Sequence, residues 1–196
     1  MPLEWYHWAG GALIVGAAVV KGPEVVATIK SGSQQKGLVV ALASKWGPIF
    51  GAPLGTIVTI SYIESRWRPG SKNTNERAML RGGAWGLMQQ TLDTAKGHAK
   101  ALASHSNALV KETLKKWDGT GPGLLNPDVN VMFGAYQLGK LTSEFKEFGL
   151  VAGAYHQGAA KIRSMLKERK SIPAELPPFG KQYVTEALKR YKELVA

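Results

Sequence analysis

Hydrophobic residues in this chain fall into a few long clusters of helical length, separated by polar gaps marked with glycine and proline. An apolar run from Leu54 to Ile63 ends abruptly on Glu64. Pro53 precedes it, and proline at a first helical position is pre-set in φ and loses no needed donor, so a helix starting near Pro53 is predicted. The β-branched group Thr56 to Ile60 would also suit a strand, but the unbroken segment from Pro53 to Trp67 is too long for a typical one. Apolar side chains on nearly every face place this helix inside the core rather than on it.

The other clusters extend the helical reading. Gly37 to Trp46 reads as an amphipathic helix broken by Gly47-Pro48, with the polar stretch KSGSQQ (30–35) before it as a linker. Residues 70–82 are polar and irregular, a loop or flap. Thr91 is a predicted N-cap with Asp93 in the first turn of a helix that reaches about His105. After a Gly/Pro-rich loop at 117–126, Asn126-Pro127 opens a helix whose Val131, Ala135, Leu138 and Leu141 form a buried stripe, and Asp128 favours its start. Leu150 to Tyr155 is a short apolar segment that places Tyr155 in the core or in a cleft. Residues 159–170 form a basic helix. Pro173, Pro177 and Pro178 mark a bend before a last amphipathic helix carrying Tyr183, Val184, Ala187, Leu188, Tyr191 and Leu194. The predicted fold is mainly α with one short irregular or β-containing segment.

The first 35 residues stand apart. Trp5-Tyr6-His7-Trp8 leads into the apolar run Ala9 to Val20, which Lys21 closes. Aromatic residues at one end and a cation at the other suit a membrane interface. The run is shorter than a standard span of about 20 residues and rich in Gly and Ala, and no cation precedes it as in a secretory signal. Two readings stay open for residues 5–20: contact with a lipid membrane, or an apolar helix docked on the following domain. The chain thus divides into an N-terminal segment and linker, 1–35, and one domain, 36–196.

Composition narrows the partners. A formal charge of +11 in 196 residues suits polyanions: nucleic acid, anionic lipid or an anionic wall polymer. No nucleic-acid motif or basic cluster interleaved with aromatics is present, so nucleic acid is not expected as a partner. From Lys161 onward nine Lys or Arg stand against four Glu, a face suited to an anionic wall or simply to solvent. With no cysteine there is no thiolate metal site. His98 and His105 share a helix face but lack a third ligand, so neither a metal nor a cofactor is predicted.

Glu64 is the candidate for chemistry. Apolar surroundings and the negative end of a helix dipole both disfavour its charge, and so raise its pKa toward that of a neutral-pH proton donor. The alternative is a solvated helix-end residue paired with Arg66 or Arg68. Further on, Gly83 and Gly86 permit tight turns and the close approach of a ligand to the main chain.

Three blocks then point one way. Glu64-Ser65-Arg66-Trp67-Arg68-Pro69 fits the pattern E-S-x-(aromatic)-x-P. Gly83-Ala84-Trp85-Gly86-Leu87-Met88-Gln89 fits G-A-x-G-L-M-Q, followed by the pair Thr94-Ala95. Ala154-Tyr155-His156-Gln157-Gly158 fits A-Y-N-x-G. In this order they resemble the soluble lytic transglycosylase family of the lysozyme superfamily, related to goose-type lysozyme, over roughly residue 36 to the C-terminus. The resemblance implies a lysozyme-like helical domain that cleaves the bond between N-acetylmuramic acid and N-acetylglucosamine in peptidoglycan. It also implies that Glu64 is acid and then base, giving a 1,6-anhydro product. Tyr155 would then hydrogen-bond near the reacting centre, Gln89 would contact the sugar, and Met88 would floor the cleft. Two positions depart from the pattern. Leu80 stands where a Ser is frequent, and His156 replaces the Asn and can hold the same bonds or add pH sensitivity.

Glycosidases generally use two carboxylates, and this sequence offers only Glu64 without a simpler explanation. Hydrolysis of the goose-type kind stays open, with Glu76 or Asp93 as the second acid. So does a non-catalytic wall-binding or membrane-active component. The expected setting is the periplasmic side of a bacterial envelope or a phage virion; a membrane anchor at the N-terminus and a larger envelope or virion assembly both stay open.

Overall fold

The computed structural model describes residues 12–15, 18–21 and 32–195. Near the N-terminus, β1 (Ala12–Val15) and β2 (Ala18–Lys21) pair antiparallel, Ala12 opposite Lys21. These strands stand where the apolar run suggested a helix. The rest of the membrane-contacting segment expected at 5–20 lies outside the described residues. Among the described residues no helix is long and apolar enough to cross a membrane.

The body is helical. α1 (Gly32–Phe50) passes straight through Pro48 and begins inside the expected linker. Gly47-Pro48 does not break it because Pro48 sits in its last turn, and Ala52 N–H closes the end onto Gly47 O at 3.0 Å. After a short turn comes α2 (Leu54–Ser65), with Pro53 as its N-cap and buried residues on several faces. Its end is sharp: Arg66 and Trp67 both take positive φ, 54° and 59°, a region that disfavours a Cβ. Arg66 N–H bonds Tyr62 O at 2.8 Å, and the Trp67 indole donates back to Val58 O at 3.0 Å. The chain therefore reverses immediately after Glu64.

The irregular segment is a miniature sheet: β3 (Lys72–Asn73), β4 (Ala84–Trp85) and β5 (Gln90–Thr91), in that order and antiparallel. A single helical turn, α3 (Glu76–Met79), fills the excursion between β3 and β4. α4 (Leu92–Leu102) starts as predicted, with Thr91 Oγ1 accepting from Thr94 N–H, but stops three residues before His105. α5 (Ala108–Leu114) and a 3-10 turn (Pro122–Leu125) lead into α6 (Pro127–Phe145). Then follow α7 (Phe148–Gln157), α8 (Ala159–Lys167) and α9 (Pro178–Val195).

α6 is the central post, packed against α1, α2, α4, α5 and α7. Val131, Ala135, Leu138 and Leu141 are buried as the stripe predicts. Asp128 does more than favour the start of α6. It accepts from Lys45 Nζ at 2.7 Å, the Trp46 indole at 2.9 Å and Lys116 Nζ at 3.2 Å, tying α1 and the turn after α5 to α6. Burial pushes this carboxyl up, but Lys45, Trp46 and Lys116 outweigh that and hold it below the ordinary carboxylate range. On the opposite side α9 lies against α2 and α7, which brings the C-terminal helix to the end of α2 that carries Glu64.

Candidate active site

The G-L-M-Q block is the tight turn joining β4 to β5. Gly86 and Gln89 take φ of 76° and 45°, and Gln89 N–H bonds Gly86 O at 3.2 Å. Asn130, fully buried on α6, clamps this turn from below. Its Oδ1 accepts from Met88 N–H at 2.7 Å, and its Nδ2 donates to Trp85 O at 2.8 Å. A Cβ at Gly86 would meet Asn130 Nδ2 and Leu124 O, each at 2.5 Å. The glycine is thus needed for the fit onto α6, and the space over it is filled by protein rather than open to a ligand. Met88 is likewise corrected. Its side chain is fully buried against Gly134 in the core, and only its carbonyl serves the site.

Above the turn lies a groove of about 250 Å³. Glu64, Tyr155, Gln89 and His156 from the sequence reading line it, with Arg81, Gln90, Thr91, Thr94, Gln137 and Gly158. Glu64 is the sole carboxylate of that lining. Glu76, at the start of α3, and Asp93, in the first turn of α4, are exposed and off the groove. Arg66 and Arg68 do not pair with Glu64. Arg66 lies 4.5 Å over the Tyr62 ring, and Arg68 Nε donates to Ser65 O at 3.1 Å.

Glu64 instead accepts from the Tyr183 hydroxyl at 2.6 Å. Its side chain keeps some surface open to the groove while neighbours crowd the carboxyl. That burial pushes the carboxyl up to about 7, against the Tyr183 hydrogen bond, which pulls it down. Tyr155 and Tyr183 are both pushed well above the ordinary phenol by burial first and the Glu64 charge second. Near neutral pH the site therefore holds one carboxyl poised between acid and base, flanked by two neutral phenols.

The remaining contacts build an ordered wall. Tyr155 donates to Met88 O at 2.6 Å and accepts from Gln90 Nε2 at 2.7 Å. Gln89 Nε2 donates to Gly86 O at 2.9 Å and Ser71 O at 3.3 Å, so its amide is pinned to the main chain where it faces the groove. His156 is exposed and stacks flat on Tyr183, with centroids 4.2 Å apart at 10°. Leu80, where a Ser was expected, is 83% exposed and makes no part of the lining. His98 and His105 are both engaged by protein groups: His98 packs on Phe133 and Tyr136 with its Nε2 3.5 Å from Gln137 Oε1, and His105 packs on Phe50 and accepts from Asn107 N–H at 3.2 Å. Among the described residues no cluster of three or more His, Asp or Glu is placed to hold a metal.

Three functional positions escaped the sequence reading. Tyr183 appears there only as one apolar-face residue of the last helix. Gln90 and Asn130 carry no sequence signal at all, because their roles depend on contacts 65 and 42 residues away.

The transglycosylase SLT domain family matches residues 41–176. The fold is similar to the 70 kDa soluble lytic transglycosylase of Escherichia coli, at 21% identity and a TM-score of 0.58, over 79% of this chain and 24% of that one. It is equally similar to an inactive mutant of the lytic transglycosylase Slt of Pseudomonas aeruginosa, at 22% identity and a TM-score of 0.58, over 77% and 23%. The chain spans about a quarter of the length of these two proteins. No curated protein matches it. The family match stops at 176, before α9, which nevertheless supplies the hydroxyl on Glu64. With Glu64, the G-L-M-Q turn and Tyr155 all inside the matched span and gathered on one groove, the chain belongs to the transglycosylase SLT domain family.

Proposed function

We propose that this chain is a peptidoglycan lytic transglycosylase that cleaves the β-1,4 bond between N-acetylmuramic acid and N-acetylglucosamine with one catalytic carboxyl. The observation that carries the reading is Glu64, the lone carboxylate of the groove, raised to about 7 and bonded to a neutral phenol. Most glycosidases that use water place a second carboxylate across the scissile bond to activate it or to attack the sugar, and this groove lining offers none.

In the proposed reaction Glu64 gives its proton to the glycosidic oxygen as the anomeric C–O bond breaks. The resulting Glu64 carboxylate is stabilised by the Tyr183 hydroxyl, and the muramic acetamido group supports the developing positive charge. The carboxylate then takes the proton of the muramic 6-hydroxyl as that oxygen bonds to the anomeric carbon. The proton count closes on Glu64 and no water is consumed. Gln89 holds the sugar from the turn, and His156 lines the same groove in the place of the usual Asn. A +11 chain suits the anionic wall, met from the periplasmic side of an envelope or from a phage particle.

The test is digestion of purified sacculi by wild type and Glu64→Gln, with the products weighed by mass spectrometry. Anhydro-ended muropeptides from wild type and none from Glu64→Gln are expected. Reducing ends would mean a hydrolase, and indistinguishable products would mean a wall binder.

A further inference from the structure

We infer that Gln90 is a positioning residue that fixes the direction of the Tyr155 hydroxyl and so makes Tyr155 a hydrogen-bond acceptor toward the occupant of the groove. Its effect on rate rests on the glycan-cleaving reading above; its effect on the hydroxyl does not. A phenol has one proton and two lone pairs. Here the proton goes to Met88 O at 2.6 Å and one lone pair takes Gln90 Nε2 at 2.7 Å. What remains for the groove is the second lone pair.

Gln90 is held against turning its amide round. Its Nε2 also donates to Gln137 Oε1 at 3.2 Å; a flipped carbonyl would face that acceptor oxygen, and could be met by Tyr155 only by taking its proton from Met88 O. Gln137 Oε1 is held in turn by His98 Nε2 at 3.5 Å, on a ring packed against Phe133 and Tyr136. The row His98, Gln137, Gln90, Tyr155 thus crosses from α4 through α6 and β5 to α7 and sets a single polarity.

The arrangement leaves a defect: Gln90 Oε1 is buried with no partner. Such an oxygen costs stability, and an apolar side chain would fill the same space without it. Gln90 carries that cost while spending its amide donors on Tyr155 and Gln137, which an apolar residue of the same size would leave without them. The two phenols then divide the work. Tyr183 donates to Glu64, whereas Tyr155 receives a donor, the acetamido N–H or a hydroxyl of the glycan.

The test is Gln90→Leu, read in three ways. In the unliganded wild type the Tyr155 hydroxyl proton gives a slowly exchanging NMR resonance close to Met88, and in Gln90→Leu that resonance is lost to exchange. On soluble glycan strands Gln90→Leu lowers kcat about tenfold with KM unchanged within about twofold. Placed in a Tyr155→Phe background, the same substitution changes kcat by less than about twofold, because Gln90 acts only through that hydroxyl. Gln90→Leu trades the orphan oxygen against the two bonds of Nε2, and its melting curve is recorded to show that the variant is folded. An unchanged hydroxyl resonance, or a full tenfold loss repeated in the Tyr155→Phe background, overturns the inference. Should wild type leave glycan uncut, the functional reading falls, and the resonance alone decides whether Gln90 aims Tyr155.

Discussion

Tyr183→Phe isolates the hydrogen bond that sets the acid. The substitution removes one hydroxyl, 2.6 Å from Glu64 Oε1, and keeps the ring that stacks on His156. The lost bond favours the ionised carboxylate, opposing the burial that pushes Glu64 up to about 7. A hydrogen bond to a charged group contributes about 1.5–3 kcal/mol, and one to the neutral acid contributes about 1. The difference is about 0.5–2 kcal/mol, or roughly one unit at about 1.4 kcal/mol per unit. Removing the bond therefore raises the Glu64 pKa, from about 7 to roughly 8. Because the protonated form starts the reaction, kcat/KM falls as pH rises through this value, and the alkaline limb of Tyr183→Phe moves upward by about one unit. The same hydroxyl steadies the carboxylate formed after proton transfer, so the rate at the optimum drops about tenfold. Initial rates of sacculus clearing between pH 4.5 and 10 at constant ionic strength measure both effects. A limb that stays in place or moves to lower pH would refute the assignment of Tyr183 as the donor that opposes burial.

Two further predictions concern stability. Folding lifts Glu64 from 4.5 to about 7, so wild type has its full stability below 4.5 and loses it as pH climbs through 7. Glu64→Gln escapes that loss, and with the groove side of the carboxyl open to water it is more stable than wild type by about 2 kcal/mol at pH 8 and equal at pH 4; urea unfolding at the two pH values checks this. Gly86→Ala puts a Cβ 2.5 Å from Asn130 Nδ2 and Leu124 O at a φ of 76°. It should lose about 3 kcal/mol, seen as a lower urea midpoint, and a loss under about 1 kcal/mol would show that the turn does not rest on Asn130.

The places where the sequence reading met the structure, and where it missed, share a physical pattern. The buried helix ending on Glu64, the Thr91 cap and the α6 stripe were legible because each depends on residues within a few turns of one another. Gly47-Pro48 was read as a break, yet a proline in a last turn removes little, because the donors and acceptors there are already being released. Met88 and Gly86 were expected at the sugar because their motif is. The turn that carries them faces two ways, with Gln89 and Gln90 turned to the groove and Met88 and Gly86 pressed onto α6. Which residue of a tight turn faces which side is decided by its anchor, here Asn130, and a linear pattern does not contain that anchor.

By itself the sequence determined the helical class, the acid at the end of a dry helix, and the three blocks that frame the groove. Those features come from local periodicity, from the apolar character around one carboxyl, and from short spacings along the chain. Only the tertiary structure decided that Glu64 meets Tyr183, 119 residues away, rather than Arg66 or Arg68 beside it. It alone decided that Tyr155 accepts from Gln90 and that Glu76 and Asp93 lie off the groove. Hydrogen-bond partners, desolvation and the direction of a proton depend on which distant helices pack together, and α9 crossing α2 and α7 has no signature in either segment alone.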